Sequence, residues 1–206
     1  MYYKGPINKY IADLSSKLPA PGGGSASALV STAGVGLLLM VANFTVDKKG
    51  YENYQNEIRS LLLILEKYKA QLEKLVDEDI TAYGKISAVY KLPKDTDEQK
   101  AYKEQQNQSV LKEAMEVPLQ IMTASNEVLT QTAERLLEIG NKNLITDVAC
   151  GVLFLKAGID GAKYNVDINL SFIKDSGFVS KKRDITNSII SNSRTITEKI
   201  LGKIQV

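Results

Sequence analysis

Apolar residues recur at helical spacing along almost the whole chain, and no long stretch alternates apolar and polar residues as a half-buried strand does. The first segment shows the pattern on one face, with Ile7, Tyr10, Ile11, Leu14 and Leu18. Longer segments follow at about 26–46, 52–92, 98–139, 144–166 and 184–204. The pattern predicts an all-α fold, an up-and-down bundle of about six helices, several of them long.

Proline and glycine mark the expected breaks between these segments. Pro93 closes the long segment at its end, and Pro118 is expected to kink the next one. Gly140 begins the short stretch that ends that segment. Residues 167–178, DINLSFIKDSGF, are predicted to be an irregular connection. At 206 residues the chain is long enough for one well-packed domain, so a single helical domain over residues 1–206 is expected.

The residue types present limit the possible catalytic chemistry more than the net charge does. The net charge of +2 gives no case for nucleic-acid binding. The chain has no histidine, which excludes Ser-His-Asp and Cys-His catalysis and most catalytic zinc sites. With a single cysteine, Cys150, the chain cannot form an internal disulfide, which fits a cytoplasmic protein. Cys150 lies in an apolar run, so an inert buried thiol is expected. Acid–base chemistry must therefore fall to Asp, Glu, Lys or Tyr.

The run from Ala26 to Val46 carries no charge over 21 residues, which is long enough to cross a bilayer. A buried central helix is the preferred interpretation, because the run contains several polar and small residues and no second span exists. Small residues recur every fourth position, at Gly24, Ala28, Thr32 and Gly36. Such a stripe allows close helix packing, either inside a bundle or across a subunit interface.

The stretch PAPGGGSASAL forms a sharp turn between two helices. It lacks the lysine and hydroxyl of a phosphate-binding loop, and no strand precedes it. The residues of interest are Pro21, Gly22, Gly23, Gly24 and Ser25, with Ser25 a plausible N-cap of the next helix. Two interpretations stay open: a tight helix connection, or a site where helix N-terminal amides meet a polar or anionic ligand.

A carboxylate interrupts the apolar stripe of the long segment. The stripe of Leu61, Leu65, Tyr68, Leu72 and Leu75 continues through Asp79, Tyr83, Ile86 and Tyr90. The neighbouring Asp77 and Glu78 point toward other faces of the helix. An ionised carboxylate on an apolar face needs a partner or a polar cavity, so Asp79 either forms a structural ion pair or borders a site.

Three further polar residues stand out. Lys156 is the only cation in the run VACGVLFLKAGI and is expected to reach the surface. Asn165 and Asn169 lie four residues apart where the helix is expected to end, a position typical of capping residues.

Six motifs in order resemble the formimidoyltetrahydrofolate cyclodeaminase and methenyltetrahydrofolate cyclohydrolase family. They are LSSKLPAPGGGSASAL, MVANFTVDKKGY, VDEDITAYGKISAVYKLPK, EVPLQIM, GNKNLITDVA and GAKYNVDINLSFIKD. The resemblance covers about residues 11–178, and the tail at 179–206 is expected to be helical. Thr146 and Tyr83 stand where serine and phenylalanine are common in the family.

The resemblance implies a helical homodimer that binds a reduced folate near the subunit interface, with no metal and no organic cofactor. It implies that the glycine turn, Lys48, Lys49, Tyr51, Asp79 and the two asparagines face the pocket. Asp79 is then the acid–base residue, stabilising a cationic carbon when ionised and delivering a proton when protonated. The alternative is a helical scaffold or regulatory protein that has kept the fold and lost the chemistry.

Overall fold

A computed structural model describes residues 1–204 of the chain. Within that part the ordered elements are helices, and no strand occurs. The seven α-helices are α1 (Ile7–Leu14), α2 (Gly23–Asn43), α3 (Gln55–Tyr90), α4 (Asp97–Val128), α5 (Glu134–Ile139), α6 (Ile145–Phe172) and α7 (Ser176–Gly202).

Two of these helices form one continuous rod. A π-helical turn, Leu129–Ala133, joins α4 to α5 without a loop, and α4 also runs on through Pro118. The described residues therefore contain six helical rods, and the predicted all-α bundle of about six helices is confirmed. The segment predicted at 52–92 is a short 3-10 turn, Glu52–Tyr54, followed by the single long helix α3.

Four helices form a closed ring around the core. Helix α2 packs on α3 and α6, and α4 completes the ring by packing on the same two helices. Helix α7 lies against α4 and α6. The ring encloses fully buried side chains from all four helices, among them Leu38, Leu65, Leu72, Met115, Met122 and Leu155. This arrangement places the beginning of α2 against the second half of α3 and of α6.

Glycine allows α2 and α6 to pack in close contact. A Cβ on Gly34 would lie 2.9 Å from the Gly151 carbonyl oxygen, and one on Gly158 would lie 1.9 Å from the Ser31 Oγ. The predicted small-residue stripe contributes only in part, because a Cβ on Gly36 would meet no atom within 4 Å. The close approach occurs inside the bundle.

The predicted irregular connection at 167–178 is wrong. Helix α6 continues to Phe172, and α7 begins at Ser176 instead of residue 184. Buried apolar residues carry α6 onward, since Val166 and Leu170 lie on its inner face. Asp175 caps α7, its Oδ1 accepting a hydrogen bond from the Phe178 N–H at 3.0 Å.

The expectation of a buried thiol is also wrong, because Cys150 is exposed on the outer face of α6. Among the described residues, α2 is the one helix whose length and composition would suit a membrane span. That helix is also the one most fully enclosed by the bundle, and core helices of globular proteins share this composition.

Candidate functional site

The Asp79 carboxylate lies against the first turn of α2. Its Oδ2 accepts a hydrogen bond from the Ser25 main-chain N–H at 2.9 Å. The predicted N-cap role of Ser25 is wrong, because Gly22 occupies the N-cap position and no side chain caps the helix from within. Instead, Asp79 reaches across from α3 and supplies an acceptor for one of the unpaired N–H groups of the first turn.

Gly24 makes this close approach possible. A Cβ at this position would lie 2.0 Å from Asp79 Oδ1 and 2.6 Å from its Cγ. Any other residue would therefore occupy the space that the carboxylate fills. Gly23 is less constrained, since its Cβ would meet only the Asn165 side chain, whose Nδ2 would be nearest at 3.3 Å. At the glycine turn, the space beside Gly24 is thus filled by a carboxylate of the chain itself.

Asp79 is a desolvated carboxylate without a counter-ion. Among the described residues no Lys or Arg forms an ion pair with it, and its Oδ1 accepts no hydrogen bond. Burial raises the pKa of Asp79 above the usual range of an aspartate, and the Ser25 N–H offsets part of that increase. The structural ion pair that the sequence left open is therefore absent from residues 1–204.

Asp79 borders a pocket of about 350 Å³, within the range of small-ligand sites. Helices α3, α4 and α6 and the glycine turn form its walls. Apolar and aromatic side chains dominate the lining: Ile86, Leu111, Ile168, Tyr83, Tyr90 and Phe172. Of residues 1–204, Asp79 is the only acidic or basic one that lines it. A charge on this carboxylate therefore interacts strongly with charged or polar groups of a ligand bound beside it.

Asn165 and Asn169 line the same pocket from α6. Their predicted capping role is wrong, because the helix continues past them. Each side chain donates to a main-chain oxygen one turn earlier, Asn165 Nδ2 to Gly161 at 3.0 Å and Asn169 Nδ2 to Asn165 at 2.7 Å. Within residues 1–204 neither side-chain oxygen accepts a hydrogen bond, so both can receive one from a ligand.

Lys48, Lys49 and Tyr51 are not brought to this pocket within one subunit. They follow the far end of α2, whose 21 residues separate them from the glycine turn by about 30 Å. The Tyr51 hydroxyl accepts a hydrogen bond from the Lys142 main-chain N–H at 3.1 Å. Gly50 between them has a φ of +90°, a conformation that favours glycine.

The remaining candidates lie outside the lining. Lys156 is half-buried and bonds the Asp160 carboxylate one turn later, at 2.5 Å. Pro21 is buried behind the turn and follows a cis peptide bond, while its neighbours Pro19 and Ala20 line the pocket.

Several lining residues were not singled out from the sequence. Tyr83, Ile86 and Tyr90 lie on the same helical stripe as Asp79, so that spacing was sufficient to find them. Ile168 and Phe172 follow Asn165 at helical spacing, but they fall in the stretch that was predicted to be irregular. Tyr10 does not line the pocket, but its hydroxyl donates to the Ser25 Oγ; the sequence gave no signal for this residue beyond its apolar position.

The fold and the pocket define a helical protein that holds one desolvated carboxylate at a ligand-sized site. A sequence profile described as formiminotransferase-cyclodeaminase matches residues 6–188. The chain therefore belongs to the formiminotransferase-cyclodeaminase family, and the predicted resemblance is confirmed.

Relatives and a solved structure agree with this assignment. Methenyltetrahydrofolate cyclohydrolase of Methylorubrum extorquens is 32% identical over 199 residues, which cover 97% of this chain and 95% of the relative. Formimidoyltransferase-cyclodeaminase of Rattus norvegicus is 29% identical, over 97% of this chain but only 37% of the relative. The crystal structure of formiminotetrahydrofolate cyclodeaminase from Thermotoga maritima superposes with a TM-score of 0.84 at 27% identity, over 98% of both chains.

Proposed function

We propose that this protein acts on the one-carbon bridge between N5 and N10 of tetrahydrofolate, as a methenyltetrahydrofolate cyclohydrolase or a formimidoyltetrahydrofolate cyclodeaminase. The observation that carries the proposal is the Asp79 carboxylate, which has no counter-ion among the described residues and faces a pocket with no other acidic or basic lining group. The names of the full-length and near-full-length relatives support the substrate class.

One carboxylate suits both reactions. In the cyclohydrolase direction water adds to the cationic methenyl carbon and gives one proton to Asp79. The hydroxyl group so formed loses its proton to solvent as the carbonyl forms, and the nitrogen of the C–N bond that opens receives the proton from Asp79. In the cyclodeaminase direction N10 attacks the carbon of the protonated formimino group and gives its proton to Asp79, and Asp79 passes that proton to the departing nitrogen, which leaves as ammonia. Asp79 serves as base in one step and as acid in the other.

The raised pKa of Asp79 favours this double role, since a group that changes protonation readily can both accept and donate. When ionised in a poorly solvated pocket, it also stabilises the cationic bridge.

The rest of the pocket supplies binding. The rings of Tyr83, Tyr90 and Phe172 offer flat apolar surfaces for the aromatic parts of a folate. The free side-chain oxygens of Asn165 and Asn169 are acceptors for ring N–H groups. Gly22 and Gly23 bring main-chain groups of the α2 N-terminus to the pocket edge, so Pro21 and Ser25 act by fixing the turn.

The direct test is incubation of the purified protein with 5,10-methenyltetrahydrofolate and with 5-formimidoyltetrahydrofolate, following the methenyl absorbance. Loss of absorbance with the first substrate, or its appearance with the second, identifies the reaction. An unchanged signal with both, in a protein that is folded, would overturn the proposal.

A catalytically inactive scaffold is the second candidate, and the structure gives it less support. That candidate requires a structural partner for Asp79, yet the partner found among the described residues is a single main-chain N–H. It also leaves an apolar pocket without an occupant.

The homodimer is proposed on the outer faces of α2 and α6. These antiparallel neighbours expose or half-bury an uncharged stripe: Ala26, Val30, Ala33, Leu37, Met40 and Phe44 on α2, and Cys150, Leu153, Phe154, Ala157, Tyr164 and Ile168 on α6. A continuous apolar face of this kind is typical of a subunit interface. Ile168 also lines the pocket, and this supports a site near the proposed interface.

A dimer also accounts for the lysines that lie far from the pocket. If the two α2 helices cross the two-fold axis antiparallel, the end of one lies beside the beginning of the other. Lys48 and Lys49 of the partner subunit then reach the pocket, where either can meet the anionic glutamate tail of the folate. Tyr51, in the same loop, accompanies them.

We expect light scattering at micromolar concentration to give twice the 22.6 kDa of one chain. Leu153→Glu should yield a monomer, because it places a charge on the apolar face of α6. Leu63→Glu is the matched control: Leu63 is 76% exposed on α3, and this variant should remain a dimer. A wild-type monomer, or equal behaviour of the two variants, would contradict the proposed interface.

Chelators are expected to leave activity unchanged, since the proposed mechanism uses no metal and no organic cofactor. Within residues 1–204 no three His, Cys, Asp or Glu side chains are grouped to hold a metal ion. Loss of turnover in EDTA that zinc restores would argue against the mechanism. We further propose a cytoplasmic protein that binds neither nucleic acid nor membrane.

A further inference from the structure

Ser25 joins α2 to α3 at two points. Its main-chain N–H donates to Asp79 Oδ2 at 2.9 Å, and its Oγ donates to the Val76 carbonyl oxygen at 2.8 Å. Val76 precedes Asp79 by three residues on α3, so both hydrogen bonds attach Ser25 to the same turn of that helix. The Ser25 side chain is fully buried, so water cannot replace these contacts.

A second buried hydroxyl stands behind Ser25. Tyr10, on α1, is 2% exposed and donates its phenolic hydrogen to the Ser25 Oγ at 3.1 Å. The Tyr2 ring meets the Tyr10 ring edge to face, with centroids 5.7 Å apart. Tyr10 is therefore held by packing on one side and by its hydrogen bond on the other, and it does not line the pocket.

We infer that Tyr10 and Ser25 are positioning residues, which fix the first turn of α2 on α3 so that the Ser25 N–H stays on the Asp79 carboxylate. Tyr10 occupies one of the two acceptor positions of the Ser25 hydroxyl and thereby favours the orientation in which that hydroxyl donates to Val76. The main-chain N–H of the same residue is then aimed at Asp79. The catalytic meaning of this inference rests on the proposed function of Asp79.

The Ser25 N–H favours the ionised form of Asp79. Burial raises the pKa of Asp79, and the Ser25 N–H acts in the opposite direction by stabilising the ionised form. The other titratable residues that line the pocket are Tyr83 and Tyr90 on α3, and Tyr10 on α1 lies close enough to feel the charges of both Asp79 and Asp77. No acidic or basic side chain of α2, α4 or α6 lines the pocket, so displacement of this N–H is expected to raise the pKa further.

The test follows the Asp79 carboxyl carbon by ¹³C NMR in protein labelled at aspartate, with the resonance assigned by its loss in Asp79→Asn. In Tyr10→Phe the pKa of Asp79 should rise by about half a unit, and kcat should fall about fivefold, as expected for one lost hydrogen bond. KM should change less than kcat. Ser25→Ala, which removes both side-chain bonds, should give the larger effect on both quantities.

Tyr68→Phe is the matched control. Tyr68 is also a nearly buried tyrosine, 8% exposed, and it does not line the pocket. Its hydroxyl accepts a hydrogen bond of 3.3 Å from the Gln131 Nε2. This variant should keep the wild-type pKa of Asp79 and the wild-type kcat. Adding Tyr10→Phe to Ser25→Ala should produce no further change in kcat, because the tyrosine acts through the serine.

The inference fails if Tyr10→Phe lowers the melting temperature but leaves both the Asp79 pKa and kcat unchanged. It also fails if the two substitutions act independently, so that their effects on kcat multiply. Failure of the proposed function is distinguishable: the wild-type protein would then turn over neither folate, or Asp79→Asn would retain turnover, while the NMR titration would still report whether Tyr10 positions the carboxylate.

Discussion

Replacement of Asp79 by asparagine is expected to lower turnover by about a hundredfold or more, while folate binding changes little and thermal stability is not reduced. Asparagine has nearly the same shape, and its side-chain oxygen can still accept the Ser25 N–H. It cannot ionise or exchange a proton with the substrate. Because no counter-ion of Asp79 exists among the described residues, removing the charge leaves no buried partner stranded.

The neighbouring Glu78→Gln is the matched control, since it neutralises an exposed carboxylate one residue away that does not line the pocket. That variant should retain wild-type turnover. A stable Asp79→Asn protein with unimpaired turnover of both folates would contradict the catalytic role. A loss of about 3 kcal/mol or more in the free energy of unfolding would instead reveal a structural partner.

The pH dependence of this variant has a definite sign. Burial raises the pKa of Asp79 in the folded chain above the value of about 3.9 expected when unfolded. The ionised carboxylate therefore costs free energy of folding above its folded pKa, and this cost vanishes as pH falls below the unfolded pKa. Asp79→Asn should accordingly gain stability relative to wild type near neutral pH and lose that advantage below about pH 4. Denaturant unfolding at both pH values measures the difference.

Much of the site could be predicted because Asp79 breaks a periodic pattern. The helical stripe that contains it is long, so its face was determined by many apolar neighbours rather than by local propensity. The glycine turn was visible for a similar reason, since three glycines directly after two prolines have few alternatives to a sharp connection. The contact between Gly24 and Asp79 could not be predicted from the pattern. The two residues are 55 positions apart, and only the packing of α2 on α3 brings them together.

The errors arose where tertiary packing overrides local composition. Asn, Asp and Ser are frequent in residues 165–178 and favour turns, yet the asparagine side chains bond the preceding turn and the apolar face continues. Ser25 was predicted to be an N-cap because a serine at a helix start usually supplies the acceptor. Here the acceptor is the Asp79 carboxylate, which comes from another helix. Cys150 lies in an apolar run, but on the face of α6 that the bundle leaves open. None of these features is encoded in neighbouring residues.

A second large effect is expected from adding a single methyl group at the glycine turn. In Gly24→Ala the new Cβ would lie 2.0 Å from Asp79 Oδ1, so the carboxylate must turn away and give up the Ser25 N–H. Because the end of a side chain can rotate, the protein should fold normally, yet turnover should fall about a hundredfold, as it does when the carboxylate is lost. Combining Gly24→Ala with Asp79→Asn should cost no further turnover.

Gly84→Ala is the control for the glycine itself, because Gly84 is exposed within α3 and its Cβ would meet no atom within 4 Å. It should stabilise the protein by about 0.5–1 kcal/mol through helix propensity alone, with turnover unchanged. In the Asp79→Ala background, which lacks the carboxylate, Gly24→Ala should stabilise the protein by a similar amount. In the wild-type background, where Asp79 is present, Gly24→Ala should give no such stabilisation. Equal stability effects of Gly24→Ala in the two backgrounds would mean that the methyl group and the carboxylate do not compete for one space, and the account of the glycine turn would be wrong.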